Sequence, residues 1–398
     1  MKTITIIGGG NSAHVLIPLL SRTEMRVNLL TRQPERWSKN ISLDYSLPSG
    51  EIIENYQGKL NKISDLPVDV IPESDIIILC MPVHKYRFAL DRIASYLNPH
   101  KKLFIGTVFG QAGFNWMIDE IVHNYSLSNV SMFAFGLIPW ICRTKKYGES
   151  GIVYGAKPIN VAATKPYDEF KELDEILFNN VVHKWFNHGA FKQADNFLSL
   201  TLSLDNQIIH TSRLYGLFLE HGGVWNTKEE VPYFYRDFSN ESADILKGLD
   251  DDYSLIRNEI KRLYKDKKFT YMLDYLSLDN ETNLTSNTTI LETFSNSKTL
   301  GAIKTPVVEE EGQWIIDKNH RFFKDDINYG LCIGKWIAEE LNINVPNIDN
   351  LLVWAQEILG DKIIENGKLV IDDEIEKDPF KYGVPKAYGY NQLSQIID

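Results

Sequence analysis

Cysteine, long apolar runs and positive charge are all in short supply in this chain of 398 residues. Its three cysteines, Cys80, Cys142 and Cys332, are odd in number and widely spaced, which argues against a disulfide framework or a zinc cluster and favours a reducing cytoplasm. No apolar run approaches the roughly 18 residues of a membrane span. The apolar start meets three glycines after about five residues, so we expect no signal peptide.

The charge balance excludes two classes of partner. The 42 lysines and arginines are outnumbered by 53 aspartates and glutamates, which gives a formal net charge of −11. Nucleic acids and anionic membrane surfaces need a basic face, so we expect neither as a partner. Hydrophobic residues make up 43% and charged residues 24%, as in ordinary globular proteins, and the length suggests two or three domains.

The first part of the chain alternates between short apolar strands and helical segments. Continuous apolar strands between helices indicate a parallel sheet that is covered on both faces. We therefore predict a doubly wound α/β domain over residues 1–188. The predicted strands are 3–7, 27–30, 75–80, 102–107, 130–135 and 159–163, and the clearest helices are 14–20 and 86–97.

From about Phe186 the pattern changes to long helical periods, and we predict an all-α domain over residues 189–398. The polar stretch 279–287 is interpreted as a loop. With two such domains, we expect an active site in the cleft between them. The predicted helices are 190–204, 237–264, 325–341 and 348–359.

Residues 8–13 fit the dinucleotide-binding pattern G-x-G-x-x-A, directly after a strand and at the start of a helix. Gly8 permits the tight turn, Gly10 lets the backbone approach a pyrophosphate, and Ala13 lets helix and strand pack closely. The phosphates would lie at the helix N-terminus, and we include Asn11 in this cofactor site.

The second strand ends without the acidic residue that usually binds the ribose of NAD. Arg32, and with it Arg36, could instead face a 2′-phosphate, which gives a slight preference for NADP over NAD. The alternative is that Arg32 stacks on the adenine or points to solvent. Met81 and Pro82 follow another parallel strand and are expected to line the nicotinamide side of the cofactor.

Among nine histidines, His210 stands out because it follows a polar segment at the start of the helical domain. A catalytic histidine is commonly oriented by a carboxylate, and Asp326 is a candidate partner. The competing interpretation is that the adjacent Asp325 and Asp326 cap a helix.

Taken together, these segments resemble the octopine/nopaline dehydrogenase family, the opine dehydrogenases. The resemblance runs almost end to end and keeps its segments in order. They are GGGNSAH at 8–14, GQAGFNW at 110–116, IPWICR at 138–143, YG at 147–148, GAK at 155–157, DNQIIH at 205–210, VPYFYRD at 231–237, RFFKDDINYGL at 321–331 and PNIDNLLVWAQ at 346–356.

The resemblance implies a Rossmann domain followed by an all-helical opine dehydrogenase domain. Family members condense the amine of an amino acid with a 2-oxo acid, often pyruvate, and reduce the imine with NADH or NADPH. By position, His210 and Asp326 match the family's proton-transfer pair. Residues implied to bind substrate are Gln111, Cys142, Arg321 and Asn206.

Four positions depart from the family pattern and flank the expected pocket: Ser12, Gln207, Thr211 and Asn328. They leave open which amino acid and which 2-oxo acid are used. We predict a cytoplasmic NAD(P)H-dependent opine dehydrogenase that acts as a monomer or homodimer. The alternatives are a ketopantoate- or 3-hydroxyacid-type reductase, whose lysine motif is not apparent here, and a non-catalytic nucleotide-binding sensor.

Overall fold

The chain divides into two compact units. The computed structural model describes residues 1–47, 49–295, 300, 301 and 303–397. The first unit comprises Met1–Thr201 with Thr282–Leu284, and the second comprises Leu202–Glu281 with Thr285–Asp398. The domain boundary that we predict after residue 188 from the change of sequence pattern stays a prediction.

Strands and helices alternate through the first unit. Its helices are α1 (Asn11–Ser21), α2 (Pro67–Val70), α3 (Tyr86–Ala94), α4 (Phe114–Asn124), α5 (Glu169–Leu173), α6 (His183–Phe186) and α7 (Phe197–Thr201). Its strands are β1 (Thr3–Ile7), β2 (Arg26–Leu30), β3 (Asn40–Ser46), β4 (Ile52–Lys59), β5 (Lys62–Ser64), β6 (Ile76–Leu79), β7 (Leu103–Thr107), β8 (Val130–Phe135), β9 (Trp140–Lys146), β10 (Ser150–Ala156), β11 (Ile159–Lys165) and β12 (Ala190–Gln193).

Within the described residues, eight of these strands form one sheet in the order β12-β11-β8-β7-β6-β1-β2-β5. Neighbouring strands from β8 to β5 run parallel, while β11 pairs antiparallel with β8. Strands β1, β6 and β7 are buried along their whole length, as their continuous apolar and β-branched sequences require. The doubly wound α/β prediction for this unit is confirmed.

A second sheet, in the order β4-β3-β10-β9, was missed by the sequence analysis. Its strands have seven or eight residues but are partly exposed, so their polar residues hide the apolar pattern that marks a strand. Helix α1 packs against this sheet. The approach is close at Gly58, where an added Cβ would lie 2.4 Å from the Cα of Pro18.

Long helices dominate the second unit, which confirms the predicted helical domain. Its described residues also form short strands in two small sheets, which the all-α prediction did not include. The helices are α8 (Asn206–His221), α9 (Asn240–Leu263), α10 (Tyr275–Asn283), α11 (Ile290–Ser295), α12 (Cys332–Glu340), α13 (Pro346–Leu359) and α14 (Asp372–Lys377), with a π-helix at Phe323–Leu331. The strands are β13 (Val224–Trp225), β14 (Val307–Glu310), β15 (Gln313–Ile316), β16 (Ile364–Glu365) and β17 (Lys368–Leu369).

Two local predictions were wrong. The segment 190–204 is not one helix, because its first residues form β12 and pair in parallel with β11 before α7 begins. The polar stretch 279–287 is not all loop, since α10 runs to Asn283. At β12, pairing with a neighbouring strand overrides the local helical pattern. None of the helices in the described ranges has both the length and the apolar character needed to cross a bilayer.

Candidate active site

The glycine-rich turn follows β1, and its first glycine is required by the backbone. Gly8 has φ +107°, a left-handed conformation that side chains rarely adopt. A Cβ at this position would lie 2.4 Å from the carbonyl oxygen of Cys80. The Gly8 N–H donates to the carbonyl of Leu30, at 2.9 Å. Gly8 therefore holds the turn between the ends of the neighbouring strands.

Gly10 is different, because the protein itself leaves room for a side chain there. Gly10 is the N-cap of α1 with φ −79°, and an added Cβ would meet only the Cys80 carbonyl oxygen, at 3.7 Å. The glycine keeps open space beside the first turn of a helix, where N–H groups and the helix dipole favour an anion. This fits the pyrophosphate of a dinucleotide.

Asn11 and Ala13 belong to the same turn. The Oδ1 atom of Asn11 accepts hydrogen bonds from Thr144 on β9, at 2.9 Å from its N–H and 3.0 Å from its hydroxyl. Asn11 thus joins the turn to the second sheet, which contains β9. Ala13 is fully buried, as expected for a position where helix and strand pack closely.

His14 stabilises the glycine-rich turn through two hydrogen bonds, a role that the sequence did not indicate. Its Nδ1 lies 2.9 Å from the carbonyl oxygen of Gly10, and its Nε2 accepts from the N–H of Gly148, also at 2.9 Å. A carbonyl only accepts and a backbone N–H only donates, so the ring is neutral with its proton on Nδ1. Burial lowers the pKa of His14, in agreement with this tautomer.

The remaining predicted cofactor residues lie at the same edge of the large sheet. Strand β1 lies between β6 and β2, all parallel, so the residues that follow them share one edge. Arg32 follows β2 and is exposed, and Met81 and Pro82 follow β6. Arg36 is held, because its guanidinium lies 4.5 Å from the ring centre of Tyr147 and donates to Gln33 at 2.9 Å.

Two predicted substrate residues lie in the first unit. Gln111 follows β7, the parallel neighbour of β6, and is 2% exposed. Cys142 lies on β9, and burial raises the pKa of its thiol to about 12. A thiol with so high a pKa remains protonated near neutral pH, so Cys142 can line a pocket but is not an activated nucleophile.

The second unit brings His210 and Asp326 together. His210 lies on α8 and Asp326 on the π-helix, which packs against α8. The Nδ1 atom of His210 is 2.8 Å from Oδ2 of Asp326, and the two residues are 1% and 2% exposed. The N-cap of the π-helix is Phe322, so neither Asp325 nor Asp326 occupies the capping position.

A third residue, Tyr235, completes this arrangement and was missed from the sequence. Its hydroxyl lies 3.0 Å from Nε2 of His210, so both ring nitrogens have partners. The His210 ring stacks on Phe322, with ring centres 3.7 Å apart, and meets the edge of Phe234. The signal lay in the segment VPYFYRD, which carries Tyr235 but gave no reason to choose it over Tyr233.

Burial governs the electrostatics of the pair. Burial, followed by the positive charge of Arg321, holds the pKa of His210 well below the usual value for histidine. Burial also raises the pKa of Asp326 well above that of an ordinary carboxyl. Burial penalises charge on each group, and the hydrogen bond between them couples their titrations, so the pair takes up and releases protons as one unit.

Asn206 lies on the same helix as His210, and Arg321 lies five residues before Asp326 in the sequence. Arg321 lies just before the π-helix, its side chain is 44% exposed, and its Nη1 is 3.4 Å from Oδ2 of Asp325. Such a long contact leaves most of the guanidinium's hydrogen-bonding capacity for another carboxylate. Asn206 is the first residue of α8, one turn before His210, and is half-buried.

Comparisons with known proteins agree with this geometry. The helical domain described as "NAD/NADP octopine/nopaline dehydrogenase, alpha-helical domain" matches residues 193–359. The octopine dehydrogenase of Pecten maximus is 26% identical, over 99% of this chain and 98% of its own length. The tauropine dehydrogenase of Arabella iricolor is 25% identical, over 100% of both chains.

A solved structure described as octopine dehydrogenase with NADH and pyruvate has the same fold, with a TM-score of 0.82 and 23% identity, over 100% of this chain and 98% of that one. Three observations thus agree with a dinucleotide-dependent dehydrogenase: the glycine-rich turn, the buried histidine–aspartate pair and the relatives that match end to end. The chain is similar end to end to proteins of the octopine/nopaline dehydrogenase family, its residues 193–359 match that family's helical domain, and these relatives support an NAD(P)-dependent oxidoreductase.

Proposed function

We propose that the protein is an opine dehydrogenase. It joins the amine of an amino acid to a 2-oxo acid such as pyruvate and reduces the product to an N-(carboxyalkyl) amino acid. The observation that carries the proposal is the buried His210–Asp326 contact of 2.8 Å. The relatives named as octopine and tauropine dehydrogenases support it.

The nicotinamide cofactor, when bound, supplies the hydride that reduces the imine. Gly8, Gly10, Asn11 and Ala13 would hold its pyrophosphate. Arg32 would face the adenosine ribose and gives the slight preference for NADP over NAD. Met81 and Pro82 would border the nicotinamide.

The pair supplies the proton chemistry. An amino acid carries an ammonium group at neutral pH and must lose a proton before it attacks a carbonyl. The oxygen of the resulting carbinolamine must gain a proton before it leaves as water. One group that takes up and returns protons near neutral pH serves both needs. The coupled pair has this role: His210 exchanges the proton at Nε2, and Asp326 orients the ring and shares the added proton.

Substrate binding is assigned to Gln111, Cys142, Arg321 and Asn206. Arg321 is the anchor for a carboxylate, because its planar guanidinium donates two parallel hydrogen bonds to one carboxylate group. Gln111 and Asn206 offer amide donors and acceptors, and the protonated Cys142 adds a small apolar wall. The enzyme is proposed to act in the cytoplasm as a monomer or homodimer.

The decisive experiment is a matrix of amines against 2-oxo acids, with NADH and NADPH followed separately. Cofactor oxidation that requires both substrates, with a product whose mass equals their sum minus one water plus two hydrogens, supports the proposal. Oxidation with an oxo acid alone would indicate a hydroxyacid-type reductase instead. Cofactor binding without any turnover would indicate a nucleotide sensor.

A further inference from the structure

His210 is enclosed, and the group at its outward nitrogen is a tyrosine. Nδ1 of His210 is engaged by Asp326 and Nε2 by the hydroxyl of Tyr235, at 2.8 and 3.0 Å. Phe322 covers one face of the ring at 3.7 Å. With His210 only 1% exposed, protons pass to or from Nε2 by way of whatever contacts that atom.

Tyr235 is the most exposed member of this chain of three, at 8% against 1% for His210 and 2% for Asp326. Its ring is held in place by Phe234, with ring centres 4.9 Å apart, and by Phe294, at 5.9 Å. A ring packed on two sides resists swinging out of the way. Rotation of its O–H bond, by contrast, moves only a hydrogen.

We propose that the Tyr235 hydroxyl is a catalytic proton relay between the reacting amine and carbonyl groups and Nε2 of His210. This inference rests on the proposed condensation. In the alternative, Tyr235 is a gate that moves aside so that the substrate contacts Nε2 directly. The packing of Tyr235 against Phe234 and Phe294 favours the relay.

In each transfer, the protons lost by one group equal those gained by the next. When the amine nitrogen loses a proton, that proton moves to the Tyr235 oxygen while the hydroxyl proton moves to Nε2. When the substrate oxygen gains a proton, Nε2–H moves to the Tyr235 oxygen while the hydroxyl proton moves to the substrate. Forming an iminium from an ammonium and a ketone moves two protons from nitrogen to oxygen. The C–O bond then breaks, water leaves, and Tyr235 and His210 are back in their starting forms.

The test compares Tyr235→Phe with His210→Ala, the double variant and the control Tyr233→Phe, which removes a hydroxyl two residues away. The relay predicts that Tyr235→Phe lowers kcat by about 10²–10⁴-fold, as loss of general acid–base help does. The double variant should be little worse than His210→Ala, because the two groups act in series. Tyr233→Phe should stay within about twofold. A kcat for Tyr235→Phe within about threefold of wild type would overturn the relay and support the gate.

Two readouts separate a relay from a merely structural tyrosine. In wild type, kcat measured in mixtures of H₂O and D₂O should fall along a curve, because two protons move together. Tyr235→3-fluorotyrosine keeps the ring and the hydroxyl but makes the phenol more acidic, so kcat should change while the melting temperature does not. A linear solvent dependence, or a kcat unaffected by fluorination, contradicts the relay. The fluorinated enzyme retains the native contacts, so this experiment still tests the relay if Tyr235→Phe folds poorly.

The same variants distinguish failure of the relay from failure of the proposed function. If wild type reduces a 2-oxo acid without an amine, the condensation is wrong. The relay is still tested, since a reduced carbonyl oxygen also needs a proton. If wild type turns over no substrate, the condensation is again wrong, and ¹⁵N spectra of labelled histidine decide about the relay. The Nε2 signal of His210 should shift in Tyr235→Phe, and an unchanged signal overturns it.

Discussion

The backbone N–H of Gly148 donates a hydrogen bond to Nε2 of His14, 2.9 Å away, and so joins the glycine-rich turn to the β9–β10 hairpin. Nδ1 of the same ring holds the Gly10 carbonyl. Replacing His14 by Phe keeps a ring but leaves a buried N–H without its acceptor, so we expect a loss of about 1–3 kcal/mol in the free energy of unfolding at pH 8. Urea titration measures it. Changing the exposed His100 in the same way should cost less than about 0.5 kcal/mol.

The stability that depends on His14 should also vary with pH. Burial lowers the pKa of His14 in the folded protein, so protons bind the unfolded chain more readily. The contribution is intact above the ordinary histidine pKa of about 6.5 and declines as the pH falls below it. Between pH 6.5 and 5 the unfolding free energy of His14→Phe should therefore fall less steeply than that of wild type. Equal slopes would show that His14 is protonated in the folded state as easily as in the unfolded one.

The two glycines of the turn should respond differently to alanine. Gly10→Ala has room for its methyl group in the protein and should fold normally. The methyl enters the pyrophosphate path, so we expect at least a tenfold loss of cofactor affinity, about 1.4 kcal/mol. Gly8→Ala meets the Cys80 carbonyl at a positive φ and should lose stability instead. Fluorescence titration with NADH and thermal melting separate these effects, and unaltered affinity in Gly10→Ala would rule out the proposed cofactor position.

Arg32 tests the choice of cofactor. Arg32 is exposed and lies two residues after the end of β2, and we propose that its guanidinium faces a 2′-phosphate. Arg32→Ala should weaken NADPH binding more than NADH binding, and Arg36→Ala is the matched control because Arg36 is engaged by Tyr147 and Gln33. If wild type prefers NADH and the ratio of the two affinities does not change in Arg32→Ala, the preference for NADP is wrong.

The His210–Asp326 pair predicts a specific pattern of losses. His210→Ala should lower turnover by about 10²–10⁴-fold, and Asp326→Asn, which keeps the shape but removes the ionisable group, should have an effect of similar order. The double variant should be little worse than His210→Ala, while NADH affinity is retained in all three. Turnover and melting temperature are measured on the same samples. Multiplicative losses would mean that the residues act independently.

Periodicity predicted the large sheet well because β1, β6 and β7 are buried on both faces and are therefore apolar throughout. Periodicity could not predict the second sheet, β4-β3-β10-β9, whose strands are only partly buried. It also could not predict β12, which forms by pairing with β11 from an earlier part of the chain. Helix α9 was predicted over 237–264 from its helical period, but it begins three residues later, because Ser239 caps it and accepts from the N–H of Ser242 at 3.1 Å.

The proposed catalytic residues show a similar division. Motif resemblance pointed to His210 and Asp326, which the fold indeed places in contact. Nothing in the sequence favoured Tyr235 over Tyr233 as a site residue, because the direction of each hydroxyl depends on how the loop folds. His14 was visible inside its motif, but its role depends on Gly148, which is remote in sequence. Contacts between residues that are far apart in the sequence leave no signal in the local sequence.

The wide helical turn at Phe323–Leu331 gives this part of the chain room to lose a residue. A π-helix holds more residues per turn than an α-helix, and the ordinary helix α12 follows it without a break. Deleting one residue between Asp326 and α12 would favour a regular helix, and the smaller number of residues per turn would keep the carboxylate at nearly its present angle relative to α12. Adding a residue has no such compensation and would rotate the carboxylate by roughly 100°. Natural variants and engineered forms should accordingly tolerate a one-residue deletion here better than a one-residue insertion.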